Sequence, residues 1–336
     1  MMRGKLNAQR CLAIDDAATQ LRAFIVIDDT TLGPACGGVR TRAYPDPEAA
    51  LDDCMSLART MTIKCALAGL AAGGGKAVVL DHPQLDRRLA FRELGRRIES
   101  LQGLFRTSGD LGTTGADLAA MATTTQYVHR DEARLSTAAG RGIALAAKAC
   151  ARMRGHASLQ GLRVAIQGCG AIGAAAARAF AVAGANVFVS DLDERRSAAI
   201  AAEVNGAVVP ADAVMEIEAD ILAPCACGGV IDSAVAERVN AWAVCGGANN
   251  ILRDAGSERV LLARGITYVP DVISSAGAVI EGIGETVMGQ ADRTPLIDAI
   301  YETTLAVLER SARTGALPSI VAEDEARARI AALRNP

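Results

Sequence analysis

Between residues 162 and 269 the chain alternates short apolar runs with longer polar or Ala-rich segments. The short runs lie at 164–166, 187–189, 221–222, 243–244 and 266–269. The intervals between them are long enough for crossover helices, and this alternation is typical of a parallel sheet covered by helices on both faces. This part of the chain is therefore predicted to form a doubly wound, Rossmann-type domain.

A glycine motif follows the first of these predicted strands. Gly168, Gly170 and Gly173 form a GxGxxG pattern that opens an Ala-rich segment. In a βαβ unit such glycines permit a tight turn, let the backbone approach a pyrophosphate and let the helix pack closely on the sheet. The motif alone is weak evidence, but its position between a strand and a helix favours dinucleotide binding over a Rossmann-like sheet that binds no cofactor.

The cofactor prediction also rests on an acidic residue. The second predicted strand ends at Asp191, 23 residues after Gly168, where a carboxylate binds the adenosine ribose hydroxyls. A carboxylate repels a 2′-phosphate, so we expect NAD rather than NADP, although Arg195 and Arg196 lie nearby in the sequence.

Two lysines dominate the first half of the chain. Lys64 and Lys76 are twelve residues apart in an apolar segment, and the second ends the glycine run 73–75. Two ammonium groups in a dry site repel each other, so one is suited to act as a base near pH 7 while the other binds a carboxylate. The glycines would let a ligand lie against the backbone. The alternative interpretation is a Gly-rich turn with two solvated lysines.

The predicted elements divide the chain into two α/β domains. A length of 336 residues also favours two domains. Further strands are predicted at 20–27 and 77–80, and helices at 46–61, 85–101, 137–154 and 295–334. We expect a catalytic and oligomerisation domain at 1–136, a nucleotide-binding domain at 137–299, and helices from about 300 to 336 that return to the first domain.

Composition excludes several classes of function. A net charge of −3 gives no electrostatic reason to expect nucleic acid or an anionic membrane as partner. No apolar stretch approaches the ~18 residues of a membrane span, and the start of the chain lacks a secretory signal. Nine scattered cysteines suggest neither disulfides nor a zinc site. A cytoplasmic protein without a metal is expected.

Taken together, these residues resemble the Glu/Leu/Phe/Val dehydrogenase family of NAD(P)-dependent L-amino acid dehydrogenases. The resemblance covers nearly the whole chain. Its motifs occur in family order at 33–40, 64, 73–76, 109–113, 168–173, 223–226, 246–250 and 270–277.

The resemblance implies roles for three residues. Lys64 would bind the substrate α-carboxylate, Lys76 would be the catalytic base, and Asp110 would shuttle protons. Oxidation transfers a hydride from the α-carbon to nicotinamide, after which water adds to the imine and ammonia leaves. Hydride transfer of this kind needs a water-poor cleft.

The resemblance also implies a pocket for the substrate side chain. Gly37 and Gly38 would let that side chain pack on the backbone, and Met61 would add an apolar wall unless it is ordinary helix core. Glutamate dehydrogenases of this family carry a lysine at the position of Cys36. Without that lysine a buried substrate carboxylate would be unpaired, which costs several kcal/mol. An apolar amino acid of the leucine, valine or phenylalanine type is therefore expected.

The cofactor residues implied by the resemblance include Cys225, Asn249, Ser275 and Thr137.

Three positions depart from the family pattern. Ser275 stands where an asparagine is usual, Gly109 where an acid is usual and Ser108 where alanine is common. The stretch between 128 and 137 is also short.

These departures leave three functions open. The first is NAD-dependent oxidative deamination of an apolar L-amino acid, reversible, by a homo-oligomer between a dimer and an octamer. The second is a specialised member that acts on an aromatic or keto-acid substrate in a biosynthetic coupling reaction. The third is a catalytically silent NAD-binding subunit, against which the intact Lys64, Lys76 and Asp110 argue.

Overall fold

The computed structural model describes residues 8–334, which form two compact units. The first unit contains the chain up to Glu132, Gly282–Gln290 and the chain from Ala326. The second contains Ala133–Glu281 and Ala291–Glu325. Each unit has its own β-sheet. The prediction of an α/β protein with two domains is therefore confirmed.

The first unit is built on a mixed six-stranded sheet. Its strands are β1 (Arg10–Asp16), β2 (Leu21–Asp29), β3 (Ala35–Cys36), β4 (Val39–Arg42), β5 (Gly73–Leu80) and β6 (Phe105–Arg106). They run in the order β1-β2-β5-β3-β6, and β4 also pairs with β5. The helices α1 (Pro47–Leu67), α2 (Arg87–Glu99) and α3 (Gly115–Ala122) belong to the same unit. Residues of α2 and α3 form a core with strand residues of this sheet.

Helix α1 is longer than the predicted 46–61. Asp46 caps its start by accepting a hydrogen bond from the Ala49 amide, and Pro47 occupies the first turn, where its missing N–H costs nothing. The helix continues to Leu67. Lys64 therefore lies in its last turn, where it is buried.

The glycine run 73–75 belongs to strand β5, so its interpretation as a turn is wrong. A Cβ on Gly73 would lie 1.8 Å from the carbonyl oxygen of Asp29, and one on Gly74 would lie 2.1 Å from the Thr62 amide nitrogen of α1. Glycine is needed because neighbouring backbone occupies the Cβ positions, so no ligand is required to explain it. This close approach seats α1 directly on the strand that carries Lys76.

The second unit contains a parallel six-stranded sheet. Its strands are β7 (Arg163–Gln167), β8 (Asn186–Ser190), β9 (Ala207–Val208), β10 (Ile221–Pro224), β11 (Ala243–Val244) and β12 (Thr267–Tyr268). The order is β12-β11-β10-β7-β8-β9, with every pair parallel. The direction of winding reverses between β7 and β10, the switch point where such sheets bind ligands.

Nine helices among the described residues complete the chain. They are α4 (Glu132–Met153), α5 (Ala171–Val182), α6 (Glu194–Val204), α7 (Ser233–Ala236), α8 (Ala255–Ala263), α9 (Asp271–Ser274), α10 (Ala276–Thr286), α11 (Thr294–Thr314) and α12 (Pro318–Arg334). No helix within residues 8–334 is long and apolar enough to cross a membrane.

The C-terminal helices return to the first unit later than residue 300. Helix α11 belongs to the second unit, because its apolar face packs there: a Cβ on Gly142 of α4 would lie only 2.8 Å from Ile300. After the short segment Gly282–Gln290, the chain belongs to the first unit again from Ala326. There Arg329 donates hydrogen bonds to the carbonyl oxygens of Ala66 (3.2 Å) and Leu67 (2.8 Å). These bonds give partners to two carbonyl groups at the end of α1, just beyond Lys64.

Candidate active site

The first unit contains a buried ion pair between two of the predicted catalytic residues. The Nζ atom of Lys76, on β5, lies 2.5 Å from Oδ2 of Asp110, in the loop after β6. The two side chains are 5% and 16% exposed. That loop is held against β4, because Val39 donates to the carbonyl oxygen of Ser108 and Thr41 donates to that of Leu111, both at 2.9 Å. The sequence-distant lysine and aspartate are thus brought together by the sheet.

A second cation contacts the same carboxylate. Arg40 Nε, on β4, lies 3.3 Å from Asp110 Oδ2, and its Nη1 donates to both oxygens of Asp53 at 3.2 and 3.3 Å. Tyr44 donates its hydroxyl proton to Asp53 at 2.6 Å. No role of Arg40 was predicted from the sequence, although this residue ends the 33–40 motif.

The charge environment keeps Asp110 ionised. Burial raises the pKa of this carboxyl, but the positive charges of Lys76 and Arg40, a hydrogen bond from Lys76 and one from the Leu111 amide outweigh burial and bring the pKa to about 2. At neutral pH Asp110 is therefore a carboxylate that accepts hydrogen bonds and can receive a proton only when a strong local donor is present.

Other predicted substrate residues lie close to this pair. A Cβ on Gly38 would lie 3.0 Å from the Cβ of Asp110, and one on Gly37 would lie 1.8 Å from the Gly75 carbonyl oxygen and 3.3 Å from Met61 Cγ. Close packing of protein on protein explains both glycines. Met61 is partly buried on α1, one turn before Lys64. The structure thus gathers Gly37, Gly38, Met61, Lys76 and Asp110, and places Lys64 on the helix packed against β5.

A guanidinium group that was not predicted from the sequence lies near Cys36. Cys36 and Arg106 are partners in the register of strands β3 and β6. Burial raises the pKa of the Cys36 thiol to about 12, against the opposing charge of Arg106. The Arg106 guanidinium lies over the Tyr127 ring, 5.3 Å from its centroid, and donates a hydrogen bond to the Thr286 carbonyl oxygen at 3.0 Å. Its Nη1 atom is therefore held by the protein, whereas its buried Nε has no hydrogen-bond partner among the described residues.

The glycine motif of the second unit connects β7 to α5 and fits a dinucleotide. Gly168 has φ +96°, a conformation that favours glycine. A Cβ on Gly173 would lie 1.8 Å from the Gly168 carbonyl oxygen, whereas a Cβ on Gly170 would meet no protein atom within 4 Å. Helix α5 starts at Gly170 without a side-chain cap. Uncapped N–H groups beside an open backbone surface suit a pyrophosphate.

Asp191 lies at the carboxyl end of β8, next to this loop. Its carboxylate accepts hydrogen bonds from the amides of Cys169 (2.6 Å) and Asp193 (2.9 Å). Burial raises the pKa of Asp191, but these backbone hydrogen bonds and the charge of Arg196 lower it overall. The side chain is therefore an ionised acceptor held beside the motif.

The remaining predicted cofactor residues follow other strands of the same sheet. Cys225 comes directly after β10, and its Cβ would lie 3.3 Å from a Cβ on Gly173. Asn249 lies in the loop after β11; the next amide, that of Asn250, donates to Asp271 Oδ2 at 3.0 Å. Ser275 donates its hydroxyl proton to the Asp271 carbonyl oxygen at 2.6 Å. These positions meet at the carboxyl edge of the sheet.

Thr137 is exposed on α4, three residues before Gly140, where α4 packs on α5. Its predicted role in cofactor binding stays a prediction. Among residues 8–334 no group of three or more His, Cys, Asp or Glu side chains is placed to hold a metal ion, and all nine cysteines are free thiols.

Two family models identify the family to which the chain belongs. Residues 9–127 match the Glu/Leu/Phe/Val dehydrogenase dimerisation domain, and residues 189–293 match the glutamate/leucine/phenylalanine/valine dehydrogenase domain. This chain belongs to the Glu/Leu/Phe/Val dehydrogenase family. It is accordingly an amino acid dehydrogenase, an oxidoreductase acting on CH–NH2 donors, and the resemblance found in the sequence is confirmed.

Individual members of the family match over most of their length. Leucine dehydrogenase of Thermoactinomyces intermedius is 35% identical over 95% of this chain and 90% of its own length. Phenylalanine dehydrogenase of Bacillus thermotolerans is 39% identical over 86% of this chain and 80% of its own. The crystal structure of L-tryptophan dehydrogenase from Nostoc punctiforme has a TM-score of 0.85 and 31% identity, and the match covers 100% and 99% of the two chains.

Proposed function

We propose that this dehydrogenase catalyses the reversible NAD-dependent oxidative deamination of an apolar L-amino acid. In the forward direction an amino acid, NAD⁺ and water give the 2-oxo acid, ammonium, NADH and a proton. The observation that carries the proposal is the buried Lys76–Asp110 pair at 2.5 Å in a family member that also has an open glycine loop on a parallel sheet.

The proposed roles follow from charge and position. Lys64, buried on α1, binds the substrate α-carboxylate. Lys76 in its neutral form accepts a proton from the substrate amine, and later from the water that adds to the imine carbon. Asp110 accepts the hydrogen bond of the resulting ammonium group and passes protons between Lys76 and the departing ammonia. When bound, the nicotinamide ring supplies the hydride acceptor.

The cofactor roles are proposed for the loops at the carboxyl edge of the second sheet. The N–H groups at the start of α5, next to Gly168, Gly170 and Gly173, would hold the pyrophosphate. Asp191 would accept hydrogen bonds from the ribose hydroxyls and disfavour NADP. We assign Cys225, Asn249, Ser275 and Thr137 to the nicotinamide half, with the Ser275 hydroxyl already engaged by its own helix.

The proposed substrate side chain is apolar and packs against Met61 and the backbone of Gly37 and Gly38. Burial raises the pKa of Cys36 to about 12, so its neutral thiol offers no charge for a substrate carboxylate, which supports the expectation that glutamate is a poor substrate. An aromatic substrate is the second candidate, because phenylalanine and tryptophan dehydrogenases are among the similar proteins.

We further propose a cytoplasmic homo-oligomer. Nine free thiols suit a reducing compartment. The matched N-terminal family domain is described as a dimerisation domain, and a similar structure of 25% identity is a hetero-hexameric glutamate dehydrogenase from Thermus thermophilus. Light scattering of the purified protein would give the assembly; a monomer at working concentration would contradict this part.

A substrate panel tests the proposed function. NADH formation is measured with NAD⁺ and each of leucine, valine, isoleucine, phenylalanine, tryptophan and glutamate, and the reverse reaction with ammonium and the matching 2-oxo acids. The proposal predicts turnover with an apolar member and little with glutamate. Cofactor binding without turnover of any member would favour a silent subunit, and consumption of a 2-oxo acid without NADH oxidation would favour coupling chemistry.

A further inference from the structure

Arg40 and Lys76 share one oxygen of Asp110. Arg40 Nε lies 3.3 Å and Lys76 Nζ 2.5 Å from the same Oδ2 atom. The Nη1 atom of Arg40 donates hydrogen bonds to both oxygens of Asp53, and the Tyr44 hydroxyl donates a hydrogen bond to Asp53. The guanidinium is thus fixed on two sides, and its own side chain is only 12% exposed.

The two cations that share this oxygen differ in what they can do. A guanidinium keeps its charge throughout the working pH range, whereas a lysine ammonium can lose its proton when its surroundings favour the neutral amine. If Lys76 alone paired with Asp110, deprotonation of Lys76 would leave a buried carboxylate without a cation, which is costly. Because Arg40 remains charged, Asp110 stays paired in either protonation state of Lys76.

We propose that Arg40 is a positioning residue that holds Asp110 ionised and makes Lys76 easier to deprotonate, with Asp53 and Tyr44 fixing Arg40 in place. This inference rests on the proposed role of Lys76 as the base. Arg40 acts through its charge beside Asp110 and Lys76 and need not touch the substrate.

Other charged or titratable groups lie near the Lys76–Asp110 pair, and Arg40 is the one whose charge we expect to favour deprotonation of Lys76. Helix α1 contributes Asp53 and Cys54, and the thiol of Cys54 lies 3.4 Å from the Lys76 carbonyl oxygen. Burial raises the pKa of Cys54 to about 12, so this thiol is neutral at working pH. Asp53 is directly paired with Arg40. Helix α1 also carries the buried Lys64, which is present in all variants compared below.

The sign and size of the effect follow from electrostatics. Since both cations contact one oxygen, their nitrogens are within about 6 Å of each other, and a unit charge at that distance shifts a titration by about one to two pH units at an effective dielectric constant near 20. Removing the positive charge of Arg40 makes the ammonium form of Lys76 more stable. The alkaline rise of kcat/KM should therefore move to higher pH.

The test compares the pH profile of kcat/KM for wild type, Arg40→Met and Arg40→Lys, using the best amino acid of the panel. We expect the rising limb of Arg40→Met to move up by at least one pH unit, a loss of about tenfold below the wild-type midpoint. Arg40→Lys keeps the charge, so its limb should stay within a few tenths of a unit of wild type. Arg40→Gln serves as a second neutral variant if Arg40→Met fails to fold.

The possible outcomes separate this inference from the proposed function. If either folded neutral variant keeps the wild-type limb, or if Arg40→Lys shifts as far as the neutral variants, the role of Arg40 is refuted while the dehydrogenase activity stands. If the wild-type enzyme turns over no amino acid, the proposed function itself fails.

Discussion

Asp110→Asn gives the sharpest prediction about stability, because its effect depends on pH with a known sign. The pKa of Asp110 is lowered from 3.8 to about 2 by Lys76 and Arg40 despite burial. At 1.36 kcal/mol per pH unit, this difference stabilises the folded protein by about 2 kcal/mol at neutral pH. Asparagine also leaves the buried Lys76 ammonium without the carboxylate it contacts, whereas Arg40 keeps its pair with Asp53, so the total loss is about 2–5 kcal/mol.

The sign follows from the direction of the shift. A lowered folded-state pKa stabilises the protein above the unfolded-state pKa, and this contribution is lost as pH falls through the folded-state value. The difference in unfolding free energy between wild type and Asp110→Asn should therefore have its maximum value above about pH 5 and decrease toward about pH 2.

Urea unfolding followed by far-UV circular dichroism at pH 7, 5, 4 and 3 measures that difference. Asp46→Asn is the matched control, because asparagine caps a helix as well as aspartate and the exposed site should change stability by less than about 0.5 kcal/mol. The reasoning is refuted if Asp110→Asn unfolds at the wild-type urea concentration at pH 7, or if the gap between them stays constant down to pH 3.

Three further predictions concern the cofactor loop and are tested by NADH titration together with thermal unfolding. Gly170→Ala should leave the melting temperature unchanged, since its Cβ meets no protein atom within 4 Å, but should weaken NADH binding about tenfold or more by crowding the pyrophosphate; unchanged affinity would contradict the assigned site. Gly173→Ala should lower the melting temperature, because its Cβ would lie 1.8 Å from the Gly168 carbonyl oxygen; an unaltered melting temperature would show that the loop adapts. Asp191→Ala should weaken NADH binding and reduce the preference for NADH over NADPH. A ratio of NADH affinity to NADPH affinity identical to that of wild type would rule out the ribose contact.

The second unit was well predicted from the sequence because its signals are local. The five strands predicted between residues 164 and 269 all occur, and the glycine motif lies between a strand and a helix as expected. Strand β9 was missed because Ala207 and Val208 are two exposed residues with no apolar periodicity. The general rules for parallel sheets limit the number of possible strand orders. They do not select one order, because the order depends on contacts between segments that are distant in the sequence.

The first unit was predicted less completely because its features depend on long-range packing. Backbone atoms of Asp29 and Thr62 occupy the Cβ positions of Gly73 and Gly74, and the Phe105 ring crowds that of Gly75. No local pattern reveals these neighbours. Arg40 meets Asp110 across 70 positions of sequence, so its role had no signal beyond its place at the end of a motif. No local pattern links Lys76 with Asp110, which the family resemblance alone placed in one site.

Transfer of deuterium from a labelled substrate to NAD⁺ tests both the proposed reaction and the role of Lys76 as its base. The best amino acid of the panel is deuterated at the α-carbon and incubated with NAD⁺ and either wild type or Lys76→Ala, with Lys148→Ala as a control at a lysine outside the proposed site. Mass spectrometry of the reduced cofactor measures the deuterium. The account predicts deuterated NADH from wild type and from Lys148→Ala, and at least about a hundredfold slower formation by Lys76→Ala with NADH affinity nearly unchanged. Unlabelled NADH from wild type, or rapid formation of deuterated NADH by Lys76→Ala, would contradict it.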